Sequence, residues 1–552
     1  MQEISYEYIK KSLLQLAAVP SLSNTEQERE IERKLLEKLE QIIADDKIYR
    51  KKLPDDRLER EVIAGMVTGK GFAADNGKNN ETVILLNHHD VVDVLDYGQN
   101  KELAFSPEKL TARMSEENRA EMSEEGKDYL YGRGVADMKA GIAIQLAVMK
   151  AFSDRDFSGN LLFVSVPDEE TSSRGMLAAV ELITELRDKY KLDLQGVINC
   201  EPTFPAFPGD DGNYIYTGSM GKSVVFFYCR GLETHVGDVL SGLNANLLLA
   251  EVIRELEGNL EYCDGVSGFT VPPPTCLKAR DNKRYYSAQI PHTSGGYFNI
   301  NLLTSSPEEI LLEMKDLAGR ALNNVLEEYN ARKSEYLSGH NLPISTIKKP
   351  ENWVMTYEEF LQEAKKQEPE QVQTAIEELI AEKKGEIEDQ ELCLQIIDRI
   401  NDFVDIKGVG VVIGFAPPYY PPVVSEDENE RDLFFRNIAE DLAGYAQGQG
   451  YQVEVFPVFP GISDLSYCRL DGDLDSYMKG LANNLPLWER GYTLPLARIA
   501  DLDLPLLNIS VEGRDAHKHT ERLELNYSLR VVPELVKKAC QQIFSGRPQQ
   551  LP

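Results

Sequence analysis

A chain of 552 residues, 42 % of them hydrophobic, is long enough to bury a large core and to divide into more than one domain. Its 91 acidic against 59 basic residues leave a formal charge of −32, a field that repels phosphate backbones and excludes nucleic acid as an expected partner. No apolar run approaches the roughly 18 residues of a membrane span, the opening MQEISYEYIKKSLLQLAAVPSLSNTEQERE lacks the layout of a secretory signal, and seven scattered cysteines form no C-x-x-C pair, so a cytoplasmic protein with reduced thiols and no membrane partner is expected.

From Ile4 to about Tyr216 helix and strand alternate. An amphipathic opening helix and a charged one through Glu28–Ile43 precede apolar strands at Val62–Val67, Val83–Leu86, Leu161–Val166 and Val197–Asn199, with helices Lys139–Phe152 and Gly175–Lys189 among the last three. Such alternation predicts an α/β fold built on a mostly parallel sheet. Residues 218–333 break this alternation, since SVVFFYCRG, a helix Asn244–Leu256, the extended YYSAQIPHTSGGYFNINLLTSS and a long helix from Pro307 suggest a compact α+β module. Residues 334–405 are rich in Glu, Lys and Gln at helical spacing; no a/d heptad holds for three turns, so a solvated helical insertion is expected rather than a coiled coil. From 406 to 552, GVGVVIGF, the helix Asp432–Gln447, YQVEVFPVF and LPLLNISV return to the α/β pattern, so 1–217 and 406–552 read as two parts of one interrupted domain.

Chemistry collects where strands end. ETVILLNHHDVVDV turns from an apolar run into His88, His89, Asp90 and Asp93; NLLFVSV runs into Pro167-Asp168-Glu169-Glu170; GVIN runs through Cys200 into Glu201; LPLLNISV runs into EGRDAHKHTE with His517, His519 and Glu521; and YGRGVADMKAG sets Asp137 just before a helix. Each piece alone reads most simply as a surface or core pair, and an Asp-Glu-Glu run as a solvated face. Their repetition at one end of several strands, in a chain with only seven histidines, points instead to convergence at the carboxyl edge of the sheet, where open α/β sheets bind ligands. Imidazole with carboxylate suits zinc, and a carboxylate between two cations can bridge them.

The segments LNHHDVV, GRGVADMKAG, PDEETSSRG, CEPT and AHKHTE, in this order, resemble the two-zinc amidohydrolases and exopeptidases that include acetylornithine deacetylase, succinyl-diaminopimelate desuccinylase, aminoacylase and glutamate carboxypeptidase. The likeness reaches back to LLQLAAVPSLSNTEQE, and the length and insertion are most similar to the branch of the arginine-utilisation protein RocB. The resemblance implies a zinc-exopeptidase-like catalytic domain, its mixed sheet covered by helices on both faces, interrupted by an α+β lid and dimerisation domain. It implies two zinc ions, replaceable by cobalt or manganese: His88 and Glu201 on one, His517 and Glu170 on the other, Asp137 bridging. Asp90 would hold the His88 ring, Glu169 would be the general base, and His235, in CRGLETHVGD of the lid, would donate to the substrate carbonyl oxygen, from the opposite subunit in a homodimer. Ser463 and Asp464 of PGISDLSY would line the substrate pocket, and Asn301 stands where relatives carry an arginine that anchors a substrate carboxylate. His89, Asp93 and His519 then need only packing or supporting roles.

The expected activity is hydrolysis of an amide bond in a small N-acyl amino acid or short peptide, with arginine or ornithine breakdown as the associated chemistry. A dipeptidase or carboxypeptidase would use the same site with another pocket; a metal-binding regulatory or scaffold protein is the non-enzymatic alternative, against which the free carboxylate of Glu169 beside Glu170 argues.

Overall fold

The run Val83–Leu86 forms the interior of a strand, Glu81–His88, buried at every position after its first. It pairs in parallel with Asn160–Val166 on one side and Asp193–Asn199 on the other, and a strand flanked on both sides and covered on both faces must be apolar throughout. In the computed structural model, which describes residues 4–72, 79–117, 127–153, 157–204, 210, 212–266, 268–340, 351–366, 368–425 and 429–546, this strand lies inside an eight-stranded sheet. The order is Ile48–Lys52, Glu61–Thr68, Asn160–Val166, Glu81–His88, Asp193–Asn199, Leu506–Ile509, Asn213–Tyr216, Val453–Phe456. The four strands from Asn160–Val166 to Leu506–Ile509 are mutually parallel, whereas antiparallel pairings join Glu61–Thr68 and Asn213–Tyr216 to them. The sheet is therefore mixed, with a parallel centre.

Side chains alternate across that centre. Val83 and Leu85 enter a core cluster with Ile142, Leu146 and Met149 of the helix Ala140–Ser153, Leu13 and Leu16 of Tyr6–Ala17, and Leu535 and Val536 of Val532–Ser545. Ile84 and Leu86, equally buried, face the other way. The helix Arg174–Tyr190 packs on that sheet without entering the first cluster. Close approaches fix the helices that follow site loops: a Cβ added to Gly141 would stand 2.7 Å from the Cys200 carbonyl oxygen, and one at Gly175 would stand 2.1 Å from that of Pro167.

The chain forms two compact units, one of Met1–Met220, Pro421–Asp471 and Pro495–Pro552, the other of Gly221–Tyr420 and Gly472–Leu494. The second is built on a five-stranded sheet in the order Thr275–Asp281, Thr293–Leu302, Gly221–Arg230, Val409–Tyr420, Asn352–Thr356. Two expectations change here. The apolar run GVGVVIGF, read from sequence as the return of the α/β domain at 406, is the strand Val409–Tyr420 of this second sheet, paired antiparallel with Gly221–Arg230. Within 334–405, the described residues from 351 on are not a solvated insertion: the strand Asn352–Thr356 extends the same sheet in parallel, and the helices Tyr357–Lys365, Pro369–Lys383 and Asp389–Asn401 bury Phe360, Ile376, Leu392 and Ile396. Its charged residues supply one face of each helix while sparse apolar ones supply the other.

Candidate functional site

The carboxyl ends of three parallel strands deliver His88, Glu169 with Glu170, and Glu201, while Asp137 and His517 come from a turn and a loop. His88 is the last residue of its strand and Glu201 lies two residues beyond Asn199. Glu169 and Glu170 occupy the turn after Val166, where Asp168 takes a left-handed conformation (φ 70°), one that aspartate tolerates better than most residues. Asp137 follows Gly134 (φ 75°) in a tight turn, with a cis peptide bond to Met138, directly before the helix Ala140–Ser153. His517 (φ 67°) sits in the loop between Gly513–Arg514 and Arg522–Glu524, which pair with each other, and the second of them also pairs with Tyr129–Tyr131, forming a small sheet that ties the His517 loop to the Asp137 turn.

Five of these side chains meet. His88 Nε2 lies 3.1 Å from Asp137 Oδ1 and 3.7 Å from Glu201 Oε2; His517 Nε2 lies 3.2 Å from Asp137 Oδ2 and 2.9 Å from Glu170 Oε2. Asp137 thus stands between the two imidazoles, one oxygen toward each. Glu169 approaches more loosely, its Oε2 4.0 Å from His88 Nε2. All are buried or nearly so except His517, whose side chain is 48 % exposed.

Asp90, fully buried, is the organiser. Its Oδ1 accepts the backbone N–H of Glu169 and its Oδ2 that of Glu170, both at 3.1 Å, and the Ser23 hydroxyl donates to Oδ2 at 2.8 Å. Its Oδ1 is 3.5 Å, and its backbone carbonyl 3.2 Å, from His88 Nδ1. On the far side, Glu521 Oε1 accepts the N–H groups of Ala136 and Asp137 (3.2 and 3.4 Å), while Arg133 donates to Glu521 Oε2 and to the His517 carbonyl.

The charges are unbalanced toward the anionic side. Burial pushes Glu169 well above the usual carboxylate range, and Asp464, Glu170 and Glu201 push it further against the pull of His88. Burial and Asp137 bring Glu170 up to about 7. Burial alone would lower both imidazoles, but Glu201 and Glu169 hold His88 well above its ordinary value, and Asp137 with Glu170 bring His517 to about 11. Asp137, despite burial, is held far below the usual carboxylate range by its two histidines. Among the described residues, the carboxylates of this cluster outnumber its imidazoles, which favours a bound cation.

The donor set fits a metal. One atom each of His88, Asp137 and Glu170 falls within 4.8 Å of the others. Zinc bonds of about 2.0–2.1 Å in a tetrahedron place neighbouring donors about 3.3 Å apart, and the spacings of 2.9 to 3.7 Å around His88 and His517 bracket that edge. Imidazole nitrogen with carboxylate oxygen suits a divalent cation of borderline or hard character rather than a soft metal.

Residues 84–480 match peptidase family M20/M25/M40. The chain belongs to this family. It is 38 % identical over 505 residues to the uncharacterized protein YqjN of Bacillus subtilis (strain 168), covering 90 % of this chain and 89 % of that one, and 31 % identical to the protein RocB of the same organism, covering 89 % and 86 %. A tripeptidase of Staphylococcus aureus has a similar fold (TM-score 0.52, 13 % identity, 99 % of this chain and 100 % of that one), as has human carnosine dipeptidase 1 (TM-score 0.51, 12 % identity, 98 % and 96 %).

In this M20 chain Ser463 and Asp464 belong to the first unit, and His235 and Asn301 to the second. Ser463 is buried and its hydroxyl accepts the Leu465 N–H, capping the short helical turn Asp464–Tyr467. Asp464 is buried close enough to Glu169 to raise it; neither of its oxygens accepts a hydrogen bond of normal geometry, although the Ser173 hydroxyl is near enough to favour its charged form. His235 is exposed in the second unit, its Nδ1 accepting the Gly237 N–H at 3.0 Å, which leaves the proton on Nε2. Asn301 is engaged within its own unit, donating to the Pro272 carbonyl and accepting from Asn299, so its amide is not a free anchor as arranged. His89 is buried against the Ser165 hydroxyl, and burial lowers it to about 3, which keeps it neutral. Asp93 caps Leu95 N–H, and His519 is exposed. Ser23, Glu28, Arg60 and Arg133 surround the site without any expectation from the sequence; for the first two, the stretch LLQLAAVPSLSNTEQE held the one signal.

Proposed function

We propose that this chain is a metal-dependent amidohydrolase that binds two divalent cations and cleaves an amide bond in a small N-acyl amino acid or short peptide. The observation that carries the reading is the placement of Asp137, with one carboxylate oxygen toward each of two imidazoles, flanked by Glu201 on one side and Glu170 on the other. His88 and Glu201 would hold one cation, His517 and Glu170 the other, and Asp137 both. When bound, zinc or a substitute such as cobalt or manganese supplies Lewis acidity and can lower the pKa of water from 15.7 to about 7.

The protein groups divide the remaining work. Glu169 is near the ligands but farther from His88 than Asp137 or Glu201, and its burial raises its affinity for a proton; it accepts the proton of the attacking water and returns it to the leaving amine. Asp90 orients the His88 ring and fixes the turn that carries Glu169 and Glu170. His235, with its proton on Nε2, is suited to donate to the carbonyl oxygen as negative charge develops there, from a partner copy in a homodimer formed through the lid unit. The resemblance of the sequence to the arginine-utilisation branch extends the proposal to a substrate from arginine or ornithine breakdown.

Purified protein stripped of metal, reloaded with zinc, cobalt or manganese and offered N-acyl amino acids and dipeptides should turn over members of one panel, and metal titration should saturate near two equivalents. Saturation below one equivalent, or no turnover on either panel with both metals bound, would overturn this reading.

A further inference from the structure

Beneath the turn that carries Glu169 and Glu170 lies a buried ionic strut made by residues far apart in the chain. Arg60, 2 % exposed and at the edge of the strand Glu61–Thr68, donates through Nη1 to Glu28 Oε1 (2.8 Å) and Asp168 Oδ1 (3.0 Å), and through Nε and Nη2 to Asp56 (3.1 and 3.0 Å). Glu28, with no exposed surface, also accepts the Asn24 N–H at 2.7 Å and, through its second oxygen, the Asp168 N–H at 3.0 Å. Asp168 accepts further bonds from the Thr171 hydroxyl and the Arg174 N–H, while its carbonyl receives the N–H groups of Thr171, Ser172 and Ser173. The strut therefore grips Asp168 at its amide, its carboxylate and its left-handed backbone, one residue before Glu169.

The same N-terminal segment reaches the site from the other side. The Ser23 hydroxyl donates to Asp90, Ser23 N–H to the Val91 carbonyl, and the Asn24 amide to the Thr171 hydroxyl. Removing one partner of a buried, hydrogen-bonded ion pair leaves an uncompensated buried charge, and a guanidinium fork that meets three carboxylates at once is replaced by no other side chain. A group of this kind is poorly explained as surface electrostatics, because none of Arg60, Glu28 and Asp168 touches water appreciably.

Building on the two-metal reading above, we propose that Arg60 and Glu28 are positioning residues for the Glu169–Glu170 turn: through Asp168 they set where the Glu170 ligand and the Glu169 base stand, while the His88–Glu201 side of the site rests on its own strand ends and is tied to the turn through Asp90. The N-terminal stretch VPSLSNTEQE then serves the site rather than merely covering the sheet. Arg60→Ala should weaken one of two metal-binding steps and spare the other.

The test uses zinc titrated calorimetrically into metal-free full-length protein, with hydrogen exchange of the backbone amides of residues 168–172 measured alongside. Wild type should show two steps. In Arg60→Ala one step should weaken about 10–100-fold, the range for supporting groups behind metal ligands, the Glu169 and Glu170 amides should lose protection, and added guanidinium ion at millimolar concentration should restore both. Arg50→Ala, on the neighbouring strand and paired with Glu61 at the surface, should change neither. If Arg60→Ala does not fold, Arg60→Lys, which keeps the charge without the fork, should show the same one-sided loss. Two unchanged steps, or equal weakening of both without rescue, would overturn the proposal; a wild type with a single step would overturn the two-metal reading itself.

Discussion

Glu169 and Glu170 are neighbours on one turn, both with backbone N–H groups on Asp90, yet only Glu170 reaches an imidazole at bonding distance. Glu170→Ala should therefore lower metal affinity, whereas Glu169→Gln should keep both metals and lower kcat by about 10²–10⁴-fold, the usual share of general acid–base catalysis, since an amide cannot accept the water proton at neutral pH. Metal analysis beside turnover on a verified substrate separates them; near-normal kcat in Glu169→Gln would remove Glu169 as the base. His235→Ala should leave metal content and folding intact and abolish most turnover, and mixing it with Glu169→Gln should return activity if the two groups act across subunits. His88, Glu170 and Glu201 could be read from the sequence because each follows an apolar strand, whereas Asp137 and His517 lie on a turn and a loop and were read through the motifs around them. The supporting ones could not: Glu28 and Asp168 stand 32 and 108 residues from Arg60, and each alone looks like a solvated charge. Asn301, near a strand end, carries no mark in the sequence of the bonds its amide makes to Pro272 and Asn299.

Among elements, the segment 351–401 shows how sparse apolar residues decide between a solvated helix and a packed one. Phe360 is fully buried and stacks on Trp353 at 5.7 Å between ring centroids, 18° from parallel, joining the helix Tyr357–Lys365 to the strand Asn352–Thr356. Phe360→Ala should cost about 3–5 kcal/mol, visible as a lower urea midpoint; a change within about 0.5 kcal/mol would return the segment to the solvent. The central parallel strands were legible as unbroken apolar runs between turn signals. NWVMT was not, being five residues of largely intermediate burial at a sheet edge. Val409–Tyr420 was legible as a strand but not as a member of the second sheet, because periodicity reports burial and is silent about which strand lies alongside.

At the scale of the whole molecule, stability should depend on pH through carboxyls that folding buries. Glu32 is buried in the helix Gln27–Leu39, and desolvation, reinforced by Glu61 and opposed by the Glu61 N–H bond, lifts it to about 7. Its folded form holds the proton more tightly than its unfolded form, so this contribution is complete below about pH 4.5 and is lost as pH rises through 7. Glu32→Gln should flatten that slope and, at pH 8, stabilise the metal-free protein by up to roughly 3 kcal/mol; denaturant unfolding at pH 5 and pH 8 checks it, and parallel behaviour of variant and wild type would count against it. The order of the sheet also has a bearing on biosynthesis. Leu506–Ile509 sits between Asp193–Asn199 and Asn213–Tyr216, but it leaves the ribosome after nearly three hundred further residues have been made, and the chain has by then passed from the first unit to the second at Gly221, back at Pro421, out again at Gly472 and back at Pro495. Until then the nascent sheet has two unpaired edges facing a gap, the kind of intermediate that chaperones guard. His517 emerges later still, so a growing chain holds His88, Asp137, Glu170 and Glu201 long before the last of the five side chains exists.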